Sequence, residues 1–239
     1  MNNLKQMVAE RLRELGREDY AVNSILSSNT SLNFKPRDLK VITISRTMGS
    51  GAKIIAEQLA KKLGFFLWDK ELLVTLANDS RIQREIMHYV DEKHLNHISA
   101  YVYSFLGNSQ LGSMIYSRQL ARTIFAVCVK NNAIIIGRGA NYIIPNALHV
   151  RITASLEKRI ENMMKYENLD YKAAKSKLLR SDRERTDFLS KSFDKKTALE
   201  FPYDLLLYTD RLPHEDAVGL IEMSFSQHVK RLKEMFPEL

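Results

Sequence analysis

Apolar and polar residues follow two different periods along the chain, and the points where the period changes predict its elements. Short apolar runs occur in VITIS from Val41, in FFLW before Asp69, in AIII from Ala133, and later in LHVRITA and YDLLLYTD. Most of these runs are followed by a stretch in which apolar residues recur every three or four positions, as in an amphipathic helix. Strands that alternate with helices in this order predict an α/β fold built on a parallel sheet.

The first 39 residues form a separate region by the same criterion. Residues 4–17 carry apolar residues at helical spacing up to Gly16, and the following AVNSILSSNTSLNFKPRD is rich in Ser and Asn. We therefore expect a helical extension and linker over residues 1–39 and the main domain over residues 40–239. The helix packs either against this domain or against a second copy of the chain, as a homodimer would require, and the pattern leaves both open.

The composition limits the number of domains and the class of protein only broadly. With 239 residues, of which 45% are hydrophobic, the chain is long enough for one ordinary core. Its N-terminus does not resemble a signal peptide, and no apolar run approaches the roughly 18 residues that a membrane span requires. The single cysteine, Cys128, lies in the apolar stretch IFAVCV and is expected to be a buried thiol. We expect a cytoplasmic protein without a membrane partner.

The formal net charge of +8 favours anionic partners without choosing among them. Basic residues crowd into EKRIENMMKYENLDYKAAKSKLLRSDRER, where acidic residues are interspersed throughout. This distribution argues against nucleic acid as the partner and favours a local site on helices for a small anion such as a nucleotide.

A glycine-rich turn joins the first predicted strand to the helix that follows it. Gly49 and Gly51 permit positive φ angles and the close approach of a ligand, and the free N–H groups at the start of a helix favour an anion. Ser50, between them, is the candidate hydroxyl ligand for Mg²⁺. A plain strand-to-helix turn would use the same glycines, although the order of strand, loop and helix favours a phosphate site.

This turn departs from the usual phosphate-binding loop, in which a lysine follows the last glycine directly and a Ser or Thr comes next. Here Ala52 follows Gly51, Lys53 is displaced by one position, and Ile54 replaces the hydroxyl residue. Displacement by one residue at a helix start rotates the side chain by about 100° around the axis. Arg46, at the beginning of the turn, is the candidate substitute charge for binding the nucleotide.

Because ligands bind at the carboxyl ends of parallel strands, three other positions are expected near this turn. Asp69 ends the second strand and either orients an acceptor or caps the next helix. Arg138 stands between two glycines after the third strand, where its guanidinium requires a carboxylate or a phosphate as partner. Thr209 and Asp210 follow the fifth strand.

The sequence LLRSDRERTDF contains three closely spaced arginines, Arg180, Arg183 and Arg185. On a helix this spacing lets two or three of them converge on one anion, and phosphoryl transfer spreads charge over oxygens that such side chains stabilise. A solvated helix face explains the same spacing, and spacing alone does not separate the two.

Taken together, these segments resemble the cytidylate kinase-like family, relatives of the bacterial cytidylate kinases. The resemblance covers about residues 40–225 and is carried by VITISRTMGSGAKIIAEQLAKKLG, LWDKELL, AIIIGRGANYII, HVRITASLEKRIENMM, SDRERTDFLSKSF and YDLLLYTDRLPHEDAVGLI. It implies a three-layer α/β fold with a phosphate loop (P-loop), a helical monophosphate-binding region and a mobile lid. It also implies ATP with Mg²⁺ as the phosphoryl donor and a pyrimidine monophosphate such as CMP or dCMP as the acceptor.

The resemblance further implies roles for individual residues. Residues 81–130 would supply the acceptor-binding helices, residues 155–196 the lid region, and Asp69 would open the monophosphate-binding region. The phosphate loop would be formed by Gly49, Ser50, Gly51 and Lys53. The cations that clamp the transferred phosphoryl group would be Lys53, Arg138, Arg180, Arg183 and Arg185, with Arg138 also binding the acceptor.

Several positions depart from the family pattern. Gly139 stands where the bacterial enzymes have an aspartate that helps to bind cytosine, and Glu184 and Asp187 stand where the lid usually has an aspartate and an arginine. These differences weaken the implied specificity for cytosine. They also leave a second function open, that of a nucleotide-binding regulatory or scaffold protein that has kept the loop and lost the transfer reaction.

Overall fold

The computed structural model describes residues 6–10, 13, 40–89, 111–130, 132–144, 146–192 and 203–237. The strands are β1 (Val41–Arg46), β2 (Phe66–Trp68), β3 (Ala133–Ile136), β4 (Leu148–Thr153) and β5 (Leu205–Tyr208). The helices are α1 (Ala52–Leu63), α2 (Lys70–Asn78), α3 (Ser80–Tyr89), α4 (Leu111–Lys130), α5 (Ala140–Ile143), α6 (Leu156–Glu167), α7 (Tyr171–Ser192) and α8 (His214–Met235).

The strands form one parallel sheet in the order β2-β3-β1-β4-β5, with β1 at its centre. In this register Ile44 lies opposite Ile136 on β3 and Val150 on β4. The carboxyl ends of the three central strands therefore meet at one edge of the sheet, where the loops after them can share a ligand. The predicted α/β fold is confirmed, and each strand predicted from the apolar runs is present.

Helices cover both faces of the sheet, which gives three layers. On one face, buried residues of α1 and α8 pack against the strands, among them Ile55, Leu59, Ile221 and Phe225. On the other face, the covering residues come largely from α2 and α4 and include Leu72, Leu76, Leu120 and Ile124. The central strands pair with a neighbour on each edge, and both of their faces are buried, as continuous apolar strands require.

The N-terminal region contributes to the same core. Residues 6–10 are helical, and Val8 and Ala9 are buried in the cluster that contains α2 and α4. At these positions the extension packs against its own domain. A homodimer through this helix stays a prediction, and the linker predicted after Gly16 lies outside the described residues.

The charged tract predicted as helical between residues 155 and 196 consists of two helices, α6 and α7, with residues 193–196 outside the described part. The chain turns between them at Asn168, which has a φ of 53°. Ile160, Met163, Ala174 and Leu178 form a small apolar cluster that holds the two helices together. Of the predicted acceptor-binding region, the structure describes α3 and α4. No described helix combines the length and the apolar character that crossing a membrane requires.

Candidate functional site

The turn between β1 and α1 needs its glycines for two reasons. Gly49 has a φ of 80°, and Gly51, which precedes α1, has a φ of 75°, a region that other residues enter at a cost. A Cβ at Gly49 would lie 2.8 Å from the backbone oxygen of Arg159, and a Cβ at Gly51 would lie 2.3 Å from Nε2 of His214. Neither position can therefore accommodate a side chain, because Arg159 and His214 lie in contact with the loop.

Side chains hold four successive carbonyl groups of this loop. The donors are Ser50 Oγ to Thr47 at 2.8 Å, Arg159 Nε to Met48 at 2.6 Å, Asn162 Nδ2 to Gly49 at 2.8 Å, and Thr209 Oγ1 to Ser50 at 2.9 Å. Carbonyl oxygens repel an anion, so their engagement with the protein favours an anion site. The first N–H groups of a helix have no partner within it, and Gly51 at the start of α1 has no side chain to cap them, which suits an anion site.

Arg159 on α6 is the main contact between this loop and the lid region. Its side chain is 7% exposed, and Nη2 donates to both carboxylate oxygens of Asp182 on α7, each at 2.8 Å. The sequence analysis missed Arg159 because it lies in a charged helical tract whose cations looked solvated. Its position on the buried side of α6, one residue before the apolar Ile160, was the only available signal.

Three of the predicted cations are exposed and are not among the residues that line the neighbouring cleft. The Nζ atom of Lys53 lies 3.9 Å from Oε1 of Glu57, and its side chain is 68% exposed. Arg180 faces Glu184 at 3.9 Å on the outside of α7, and Arg183 is exposed. Their predicted catalytic roles are not tested by this arrangement, and they stay predictions.

Arg46, Arg138 and Arg185 instead converge on one cleft of about 250 Å³. Burial, together with the nearby charges of Arg185 and Arg138, lowers the pKa of Arg46 to about 10, and Asp69 partly opposes this shift. Burial also lowers the pKa of Arg185, as do its neighbours Arg159 and Arg138, while Asp182 opposes the shift. Placing these cations close together costs free energy. Such crowding of like charges is typical of an anion-binding site.

An unusual backbone turn carries Arg138 into the cleft. Gly137, Arg138 and Gly139 have φ angles of 76°, 57° and 67°, so three successive residues are left-handed. Its guanidinium carbon lies 4.3 Å from the ring centre of Phe188 on α7. Among the described residues Arg138 has no carboxylate partner, and the carboxylate predicted as one alternative is therefore absent from this part of the chain. Strain of this kind persists where the surrounding structure and the function require it.

Asp69 performs one of the two tasks that the sequence left open. Its Oδ1 atom accepts a hydrogen bond from the backbone N–H of Leu72 at 3.0 Å and so caps α2. Its charge also acts on Arg46 at the edge of the cleft. Whether it touches an acceptor stays a prediction.

Part of the cleft lining is polar and uncharged. It includes Ser45, Asn141 and Tyr142. Ser45 Oγ accepts a hydrogen bond from the hydroxyl group of Tyr203 at 3.1 Å, and Nη1 of Arg151 on β4 lies 3.5 Å from the same oxygen. Burial and the neighbouring Tyr203 raise the pKa of Tyr142, so this part of the lining presents neutral hydroxyl groups at physiological pH.

A glycine loop after the central strand of a parallel sheet, beside a cleft with converging arginines, is the arrangement expected of a phosphotransferase of the kinase type. Residues 41–211 match the cytidylate kinase-like family, and the chain belongs to that family. The resemblance in the sequence is thereby confirmed. No curated protein sequence matches the chain.

Solved structures with similar folds include proteins of low sequence identity. An uncharacterized protein from Eubacterium ventriosum is 21% identical, with a TM-score of 0.50 over 78% of this chain and 98% of that chain. Shikimate kinase from Bacteroides thetaiotaomicron is 13% identical, with a TM-score of 0.38 over 84% and 99% of the two chains. Shikimate kinase from Acinetobacter baumannii is 12% identical, with a TM-score of 0.42 over 80% and 95%.

Proposed function

We propose that the protein transfers the terminal phosphoryl group of ATP to a nucleoside monophosphate, of which the pyrimidine nucleotides CMP and dCMP are the implied acceptors. One observation carries the proposal: Arg46, Arg138 and Arg185 converge on a cleft that opens beside a glycine loop suited to phosphate. Two neighbouring anion sites at the end of a central strand suit two reactants that each carry phosphate.

In this reaction an oxygen of the acceptor phosphate forms a bond to the γ-phosphorus of ATP, and the bond from that phosphorus to the β,γ-bridging oxygen breaks. ADP leaves and a nucleoside diphosphate is formed. The attacking oxygen is already anionic at neutral pH, so positioning and charge stabilisation are the main requirements. Arg46, Arg138 and Arg185 would hold the acceptor phosphate and stabilise the charge that the transferred group carries.

The loop fits the phosphates of ATP, because its carbonyl groups accept hydrogen bonds from protein side chains. The N–H groups at the start of α1, which follows its N-cap Gly51, are suited to an anion. Lys53 can still reach a bound phosphate, since an exposed pair such as that with Glu57 contributes only about 0.5 kcal/mol or less. The hydroxyl group of Ser50 is buried and donates to Thr47, so its role as a magnesium ligand stays a prediction. We place the reaction in the cytoplasm, where a buried thiol such as Cys128 remains reduced.

The experiment that tests the proposal is an acceptor panel. Purified protein is incubated with ATP and Mg²⁺ and with CMP, dCMP, UMP, AMP, GMP or no acceptor, and diphosphate products are separated by anion exchange. A pyrimidine diphosphate that forms only in the presence of acceptor supports the proposal. Binding of ATP with no diphosphate product from any acceptor would contradict it. That result would favour the nucleotide-binding scaffold, with which the outward orientation of Lys53 agrees.

A further inference from the structure

Phe188 on α7 contacts Arg138 through the face of its aromatic ring. The guanidinium carbon of Arg138 lies 4.3 Å from the ring centre, and both residues line the cleft. A cation at this distance over an aromatic ring is attracted by the negative face of the π system. The contact links the turn after β3, which carries Arg138, to a helix that comes from a distant part of the chain.

An aromatic partner holds a guanidinium group differently from an acidic one. A carboxylate would neutralise the charge of Arg138 and occupy its N–H donors, and it would repel a phosphate group from the cleft. A phenyl ring carries no net charge, so the positive charge of the guanidinium stays available to an anion. Phe188 therefore contacts Arg138 without competing with a phosphate ligand for it.

Arg138 needs such a restraint because its neighbours repel it. Burial is the main cause of the lowered pKa of Arg46 and of Arg185, and the charge of Arg138 adds to it in both. The three guanidinium groups therefore lie close enough to oppose one another. A long side chain with no other attraction would turn away from two like charges, and the ring offsets part of this repulsion.

The packing of α7 fixes the position of Phe188 itself. The ring is half-buried and packs, with Leu189, against the core cluster that contains α2 and α4. Phe188 also lies three residues after Arg185 on α7, and side chains at this spacing share one face of a helix. That face thus carries one cation of the cleft and contacts a second one through the ring.

As a deepening of the proposed function, on which its part in the reaction rests, we propose that Phe188 is a positioning residue. Its ring holds the guanidinium group of Arg138 toward the cleft, so that Arg138 binds the same phosphate group as Arg46 and Arg185. Phe188 acts through Arg138 and needs no contact with the reacting atoms.

The test measures the dissociation constant of inorganic phosphate by calorimetry on the full chain. Phe188→Leu keeps an apolar side chain and removes the ring, and should weaken phosphate binding about fivefold. Phe188→Tyr keeps the ring and should bind within a factor of about two of the wild-type protein. Phe225→Leu is the matched control, because the same change removes a ring that packs on Phe65 at the other face of the sheet. It should leave the phosphate affinity unchanged.

A double variant decides whether the ring acts through Arg138. Arg138→Met alone should weaken phosphate binding by about tenfold or more, and adding Phe188→Leu should cause no further loss. A further fivefold loss in the double variant would show that the ring acts by packing alone, which overturns the inference. An unchanged affinity in Phe188→Leu overturns it too, as does a loss in Phe188→Tyr equal to that in Phe188→Leu.

These outcomes are separate from those of the acceptor panel. Coupling between Phe188 and Arg138 in phosphate binding, with no diphosphate product from any acceptor, supports the inference and contradicts the proposed function. Formation of diphosphate product without this coupling does the reverse. If the wild-type protein binds no phosphate, the inference is overturned whatever the panel shows.

Discussion

The guanidinium group of Arg159 donates to both carboxylate oxygens of Asp182, each at 2.8 Å, and thereby joins the phosphate loop to the helix that carries Arg185. The same carboxylate lies 3.7 Å from Nη1 of Arg185, which lines the cleft. One acidic side chain thus touches a cation from each half of the site. A change at Asp182 is expected to disturb both halves together.

Asp182→Asn should lower both stability and activity. A hydrogen bond to a charged partner contributes about 2 kcal/mol, and Arg159 would lose the charge that compensates its burial. We expect a decrease of about that size in the free energy of unfolding, measured with urea, and a raised KM for ATP. Glu161→Gln removes an exposed pair with Lys158 and is the control, with an expected change of about 0.5 kcal/mol or less. Equal effects of the two changes would argue against a special role for Asp182.

Gly51→Ala should be far more harmful than Gly64→Ala, although both glycines have a positive φ. The left-handed conformation alone costs an alanine about 1 to 2 kcal/mol. At Gly64 nothing lies within 4 Å of the new Cβ, whereas at Gly51 it would meet His214 at 2.3 Å. We expect an additional loss of about 2 kcal/mol at Gly51 in urea unfolding. Adding His214→Ala to Gly51→Ala should recover part of that loss, and failure to do so would mean that the ring is not the obstacle.

Arg46→Gln should make the protein more stable while abolishing its activity. Burial and the neighbouring arginines lower the pKa of Arg46 to about 10 in the folded protein, so the unfolded chain binds this proton more tightly. The charged form therefore costs stability at neutral pH. The free energy of unfolding of the wild-type protein should rise as the pH increases above about 10, and this rise should be absent in Arg46→Gln. At neutral pH we expect the variant to gain about 1 kcal/mol in urea unfolding.

Binding of inorganic phosphate tests the same cleft as an anion site without requiring enzymatic turnover. An anion that binds only the folded protein stabilises it by mass action, so phosphate should raise the melting temperature of the wild-type protein. The increase should be much smaller in Arg46→Gln and should remain in the exposed Arg231→Gln. A phosphate response that is the same in both variants would place the anion elsewhere.

Lys53 and Arg185 allow the two halves of the site to be compared. Arg185→Met removes a cation that already lines the cleft and should lower kcat by about 100-fold or more. Lys53→Ala should lower kcat by a comparable factor if the side chain leaves Glu57 for the nucleotide, as we expect. Glu57→Gln should then leave kcat nearly unchanged. An unchanged kcat in Lys53→Ala would show that the displaced lysine has no part in transfer.

The sheet could be predicted from the sequence because its strands are short, apolar and separated by amphipathic helices. The glycine loop could be predicted because Gly49 and Gly51 stand between a predicted strand and a predicted helix, an order that favours a phosphate site. Arg138 stood out as a charged residue between two glycines after a very apolar strand.

The sequence could not predict which of the other cations would face the cleft. A helix with charged residues on all its faces does not show which face packs against the protein. Arg180 and Arg185 are equally polar and lie on one helix, yet Arg180 is exposed while Arg185 lines the cleft. Arg159, Asn162 and His214 contact the loop from elements that lie far from it in the sequence. Only the packing of α6 against the loop and of α8 against α1 and the sheet brings them to it.

The central position of β1 also sets the order in which the molecule can assemble. Its neighbours β3 and β4 come much later in the chain. A side-chain hydrogen bond joins Thr43 on β1 to His149 on β4, which are separated by 106 residues in the sequence. Pairing over such separations requires the closure of long loops, which slows folding. During synthesis the glycine loop therefore leaves the ribosome long before the strands that flank it. Because Thr209 and His214 arrive later still, we expect nucleotide binding to begin only after β5 and the start of α8 have been made.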